Sequence, residues 1–240
     1  MPSKPVVPAT NRLLAALPSP DRQQVLSGCV QVELVFGTIL CEPGETLSYV
    51  YFPTNSFISL VTPIDGRSSL EVALVGSEGM VGVPLALGVD VSALHAVVQG
   101  SGPAWRMDAE RFLDELNRSL ALQQNLNRYI HVLMSQLAQT AACTRFHLVE
   151  QRLAHWLLTT RDRAHSEEFH ITHELLAKML GVRRVGVTKA AGSLQKKNLI
   201  SYSRGNVKIH DSAGLEAVSC NCYQADKEIY DGIMHSPAST

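Results

Sequence analysis

Five cations, Arg183, Arg184, Lys189, Lys196 and Lys197, stand within GVRRVGVTKAAGSLQKKNLI (residues 181–200), and this stretch contains no acid. Such side chains suit the binding of a polyanion and the reading of its edges. Arginine can pair with N7 and O6 of a guanine, a Val or Thr methyl can meet a thymine methyl, and Lys or Thr can hold a phosphate. Placed on a helix at about 100° per residue, Val187, Ala190, Ala191 and Leu194 share one small, apolar arc. Arg184, Val185, Thr188, Lys189, Gly192, Gln195 and Lys196 share another, which mixes bases, a hydroxyl, an amide and a gap. Three glycines make the stretch a mediocre helix former. Gly186 and Gly192 either let another backbone approach or are merely tolerated.

The flanking sequence supplies a frame. Phe169-His170-Ile171 reads as a short strand, Thr172 as an N-cap with Glu174 in the first turn, and His173 to Leu180 as a helix with Leu175, Leu176, Met179 and Leu180 inward. Gly181 can end that helix at positive φ. After the basic helix, NLISYS, the turn Arg204-Gly205-Asn206 and VKIHD read as a hairpin. Strand, helix, short turn, helix and hairpin make a winged helix-turn-helix. Thr172 joins the candidate DNA-facing residues. Arg204 and Lys208 on the wing are expected to touch phosphates and to set salt dependence more than sequence choice.

The charge distribution agrees. The chain has 240 residues and net charge −1. Residues 1–144 hold 8 Lys and Arg against 12 Asp and Glu, residues 145–210 hold 12 against 5, and residues 211–240 hold 1 against 5. The basic block between acidic ones points to an anionic partner.

Upstream, NRLLAALPSPDRQQVLSG (11–28) reads as one or two short helices broken at Pro18 and Pro20. From Val30 to about Met107, β-rich runs (VQVELVF, TLSYVYF, SFISLVTPI, SLEVALVG, ALHAVVQG) alternate with Gly, Pro and Asp punctuation. Asp65-Gly66 marks a hairpin. Short strands at this spacing suggest a barrel or jelly roll. From Asp108 to about Arg163 the chain turns to helix formers. Leu122, Leu126, Tyr129, Leu133, Gln136 and Thr140 fall at steps of four and three, a heptad seam expected to pair two copies in parallel. Phe146, Val149, Leu153, Trp156 and Leu157 mark the next amphipathic helix.

No run reaches the roughly 18 apolar residues needed to span a bilayer. The start MPSKPVVPAT lacks the apolar core of a signal peptide, so a cytoplasmic protein without membrane partners is expected. Cys29, Cys41, Cys143, Cys220 and Cys222 form no zinc-type CxxC pairs, and reduced thiols are expected. Cys220 and Cys222 make a CxC pair with metal or redox chemistry as one reading and a plain C-terminal helix as the other. No metal site is assigned, because the sequence shows no second ligand cluster to complete one.

ITHELLAKMLGV (171–182), RRVGVTKAAGSLQKKNLI (183–200) and CEPGETLSYVYFPTNSFISL (41–60) resemble the Crp–Fnr family of bacterial transcription regulators. The resemblance covers almost the whole chain. It implies an α+β chain: a cyclic-nucleotide-binding-like jelly roll over 1–115, a dimerisation helix over 116–144, and a winged helix-turn-helix with a C-terminal helix over 145–240. It also implies a homodimer on a palindromic operator, with RNA polymerase as a further partner. Base-facing roles fall to Arg184, Val185 and Lys189, with Arg183 and Thr188 beside them. Val185 stands where the family often has an acid, so the preferred half-site should differ from that of the cyclic-AMP-responsive members.

The sensor departs from the nucleotide-binding members. Where those resemble Gly-Glu-Leu-Gly followed by Arg-Ser, this chain has Gly79-Met80-Val81-Gly82, and Ser92 to Gly100 holds no arginine for a phosphate. Losing the cation of a buried anion site costs several kcal/mol. The expected function is therefore a non-enzymatic regulator with no cofactor named and an effector that is not cyclic AMP. Gly79, Met80, Val81, Gly82 and His95 outline the candidate effector pocket. A haem or redox response through this region, or a cyclic nucleotide after all, stand as alternatives. An enzyme with a nucleic-acid-binding appendage finds no support, because Glu71, Glu78 and His95 have no recognised catalytic spacing.

Overall fold

The computed structural model describes residues 10–65 and 68–235. The opening MPSKPVVPA and the turn residue Gly66 lie outside the described residues. Helices α1 (Arg12–Ala15) and α2 (Ser19–Ser27) precede the sheets. Pro18 is the N-cap of α2 and Pro20 sits in its first turn, so Pro20 starts this helix and does not break it.

Strands β1 (Val30–Leu34), β2 (Ile39–Cys41), β3 (Tyr49–Pro53), β4 (Phe57–Asp65) and β5 (Ser68–Val75) are followed by helix α3 (Val83–Ala86), then β6 (His95–Gly100) and β7 (Gly102–Asp108). They form two antiparallel sheets, β1-β7-β3 and β2-β6-β4-β5. The expected β-domain is thus a two-sheet sandwich. Asp65 pairs with Ser68 across the expected hairpin. Strand β7 is not legible in the sequence, because Gly102-Pro103 reads as a loop. The fold uses the carbonyl of Pro103 instead, which accepts from the backbone N–H of Thr54 and the hydroxyls of Thr54 and Ser56. Leu34, Ile58, Val75, Val98 and Ala104 form the core between the sheets.

Helices α4 (Ala109–Arg118), α5 (Leu120–Phe146) and α6 (Val149–Ala164) follow. Ser119 caps α5 by accepting from the N–H of Leu122 at 3.0 Å. At 27 residues, α5 is about 40 Å long. Phe146 closes α5 and is exposed; it does not belong to the apolar face of α6.

Half of the expected dimer seam is not an outward face. Leu122, Leu126 and Tyr129 are buried in the chain's own core with Phe52, Met80 and Phe112, Leu133 is half-buried, and Gln136 and Thr140 line a partly open cavity. A second heptad series, Leu120, Asn127, Met134 and Ala141, is exposed along the helix. It lies two residues away, about 200° around the axis. The richer apolar stripe goes to the nearest core, which leaves the other for any partner.

The remaining elements are β8 (Glu168–His170), α7 (His173–Met179), α8 (Arg184–Lys196), β9 (Ile200–Ser203), β10 (Asn206–Ile209), α9 (Ser212–Val218) and α10 (Cys222–Met234). The short first strand ends at His170, one residue earlier than expected. Leu153, Leu157, Leu176, Val187, Leu194 and Val207 build this domain's core, and each fully buried aliphatic contributes about 1.5–3 kcal/mol. Helix α10 turns back along α5 and reaches the β-domain, where Tyr230 donates to the carbonyl of Glu78 at 3.0 Å. No helix among the described residues is long and apolar enough to cross a membrane.

Candidate nucleic-acid interface

Thr172 caps α7 by accepting from the N–H of Leu175 at 3.2 Å. Gly181, at φ +60°, then turns the chain into α8. The buried guanidinium of Arg152 on α6 donates to the carbonyl of Leu180, which satisfies an otherwise unpaired carbonyl at the buried end of α7 and ties the turn to the domain core. Val187, Ala190, Ala191 and Leu194 of α8 are buried as the wheel requires.

Thr172, Arg183, Arg184, Val185, Thr188, Lys189, Gln195, Lys196, Arg204 and Lys208 lie on the surface. Those on α8 share one face, with Arg183 at its N-cap. Thr188 donates to the carbonyl of Arg184 at 3.1 Å, and its hydroxyl lies 3.1 Å from Nδ1 of His173. With its hydrogen committed, Thr188 accepts from Nδ1–H. Partial burial and the positive charge of Arg184 push His173 down, so its ring is neutral near pH 7. Its ring centroid lies 4.3 Å from that of Tyr202, whose hydroxyl donates to the carbonyl of Ile171. These contacts bind α7, α8 and the hairpin into one frame. Gly186 has only Val149 at 4.0 Å from the place of a Cβ, and Gly192 has nothing within 4 Å, so no element of the described chain needs either gap.

The wing turns on Arg204 (φ +50°) and Gly205 (φ +85°), a two-residue turn of the kind that suits a right-twisted hairpin. A Cβ on Gly205 would lie 2.6 Å from the His170 ring. Lys208 pairs with Glu168, and Lys197 with Glu150 at 2.6 Å. Arg183, Arg184, Lys189, Lys196 and Arg204 have no acidic partner among the described residues. The free positive charge therefore lies along α8 and the wing tip, and Lys208 adds less to it than expected.

This frame matches a known one. Residues 151–218 match the Crp-like helix-turn-helix domain family. About four fifths of the chain superposes on the fold of solved Crp/Fnr regulators. The structure of FixK2 from Bradyrhizobium japonicum superposes with a TM-score of 0.68 at 11% identity, covering 80% of this chain and 98% of that one. The c-di-GMP responsive global regulator CLP of Xanthomonas campestris gives 0.66 at 15% identity over 80% and 99%. A CRP/FNR family transcriptional regulator from Thermus thermophilus gives 0.66 at 18% identity over 79% and 98%. No curated protein sequence matches the chain.

The candidate effector residues do not converge. Met80 is fully buried, a Cβ on Gly79 would lie 2.1 Å from the Tyr129 hydroxyl, and one on Gly82 would lie 2.8 Å from Val50. Val81 bridges to Tyr51. The segment 79–82 is thus packed against α5 and β3. His95 sits on β6, half-buried, with Nδ1 3.5 Å from the Glu42 carboxylate. Open space lies instead between β5, α5, α6 and α10. It is a cavity of about 380 Å³ lined by Glu71, Thr140, His155, Trp156, Arg163 and Asp226, among others. Sequence spacing could not find it, because its walls come from segments far apart in the chain, from Arg12 to Asp231.

The CxC pair also gains neighbours. Cys143 and His147, one turn apart at the end of α5, meet Cys220 and Cys222. The C-x3-H spacing on a helix was the available signal, and nothing local linked it to residues 75 positions later.

Proposed function

We propose that the protein is a homodimeric transcription regulator that reads a two-fold symmetric duplex site. Five exposed cations without acidic partners, four along α8 and its N-cap and one at the wing tip of a winged helix-turn-helix, carry this reading. In such a frame the first turns of α8 enter the major groove. Arg184 and Lys189 then face base edges, Val185 offers a methyl, and Arg183, Lys196 and Arg204 hold phosphates. Two such helices must reach successive grooves about 34 Å apart, which calls for a dimer. The exposed series Leu120, Asn127, Met134 and Ala141 supplies a heptad face for it, with Asn127 as the polar position that fixes register.

The test is selection of duplexes from a random pool by the full chain, followed by affinity measurement at several salt concentrations. A palindromic site bound by two chains, with affinity falling steeply as salt rises, is expected. No binding to any duplex at low salt would overturn the reading.

A further inference from the structure

Three thiols and an imidazole meet where the end of α5 touches the start of α10. The Sγ atoms of Cys143, Cys220 and Cys222 and a ring nitrogen of His147 all lie within 4.8 Å of one another. Cys143 Sγ is 3.5 Å from Cys220 Sγ, and Cys222 Sγ is 3.4 Å from Nδ1 of His147. In a tetrahedral zinc site with Zn–S bonds near 2.3 Å, neighbouring donors stand about 3.8 Å apart. The four donors are thus already close to the corners such an ion needs. We propose that Cys143, His147, Cys220 and Cys222 form a structural zinc(II) site.

Three features favour zinc over inert packing or a disulfide. The donor set is soft sulfur and imidazole, which suits zinc better than any hard cation. Three cysteines cannot all pair by disulfide within the group, and Cys29 and Cys41 lie in the β-domain, Cys29 just before β1 and Cys41 on β2. The surroundings also carry outer partners. Gln139 donates to Cys222 Sγ at 3.0 Å. His155 places Nδ1 3.8 Å from Cys220 Sγ and its other nitrogen 3.4 Å from Asp226. Polar groups aimed at sulfur have no role in a purely apolar thiol cluster, whereas they orient and neutralise coordinated thiolates. Zinc keeps its oxidation state on binding. Each thiol still protonated gives its proton to solvent as its S–Zn bond forms, so binding weakens in acid.

The position gives the site a consequence. Cys143 and His147 stand at the junction of α5 and α6, where the β-domain's long helix hands over to the DNA-binding frame. Cys220 and Cys222 anchor α10, whose far end contacts Glu78 of the β-domain. Zinc would clamp this return path and fix the angle between the two parts. The metal assignment stands whether or not the protein binds DNA.

The full chain, reduced and stripped of metal by a chelator, is titrated with cobalt(II) and then with zinc(II) against a chromophoric competitor. One ion per chain is expected, with the strong visible bands of tetrahedral cobalt, thiolate-to-cobalt charge transfer, and displacement by zinc. Cys143→Ser and Cys222→Ser should each weaken zinc binding at least about 100-fold, and Gln139→Ala about 10-fold. His147→Cys should keep one zinc, as should the double change C29S and C41S. Failure of the reduced wild-type chain to take up zinc, a weak octahedral cobalt spectrum, or unchanged binding in Cys222→Ser would each overturn the proposal. Uptake by the wild type and retention in His147→Cys remain decisive even where a serine variant folds poorly.

Discussion

Trp156 of α6 donates its indole N–H to the carboxyl of Glu71 on β5 at 2.8 Å. This bond joins the DNA-binding domain to the β-domain. Ser59 donates to the other carboxyl oxygen. Arg163 and Glu78, 2.9 Å apart, make a second largely buried link close by. Burial pushes Glu71 up to about 7, against the hydrogen bonds from Ser59 and Trp156. The domain contact therefore contains a carboxyl that prefers to be neutral.

The sign of its pH effect follows. A carboxyl raised from its ordinary value of 4.5 to about 7 binds more protons in the folded chain. Its stabilising contribution is full below about 4.5 and is lost as pH rises through about 7, a change on the order of 3 kcal/mol. Glu71→Gln keeps an acceptor for Trp156 and cannot ionise. At pH 8 it should melt about 6–12 °C above the wild type, and the difference should close as pH falls to about 4.5. A difference independent of pH would show that Glu71 does not titrate in this window.

On the recognition face, Arg184→Ala should weaken the selected site by about 1–3 kcal/mol and relax preference at one base position. Lys196→Ala and Arg204→Ala should weaken all duplexes alike and each reduce the salt slope by about 1. Lys208→Ala should change that slope less, because Glu168 already partners this lysine. Fluorescence anisotropy at several salt concentrations reads both quantities.

The two stripes of α5 separate by substitution. Met134→Asp should leave the fold intact and convert dimer to monomer in sedimentation. Leu126→Ala, in the chain's own core, should cost about 2–5 kcal/mol of stability and leave the folded assembly dimeric. The reverse pattern would restore the Leu122, Leu126, Tyr129 seam as the partner face.

Two glycines of the DNA-binding domain should respond oppositely to alanine. Gly205→Ala meets the His170 ring and sits at φ +85°, so a loss of about 1–3 kcal/mol is expected. Gly192→Ala has open space in a helix interior and should gain about 0.5–1 kcal/mol. Chemical denaturation measures both.

The sequence by itself determined the features written in neighbouring residues. Val187, Ala190, Ala191 and Leu194 share an arc, so their burial beneath an outward basic face follows from helical period. Thr172, Gly181 and Gly205 mark a cap and two turns through their own conformational preferences. The β-texture before residue 107 likewise comes from alternation and turn residues.

Only the tertiary structure decided what depends on distant segments. Both heptad series on α5 satisfy the same period, and the choice between them fell to Phe52, Met80 and Phe112, which bury one of them. Strand β7 exists because β1 and β3 flank it, against the preference of Gly102-Pro103. Glu71 meets Trp156, and Cys143 meets Cys220, across 85 and 77 residues. Local preference carries no information about such meetings, since they are set by how whole elements pack.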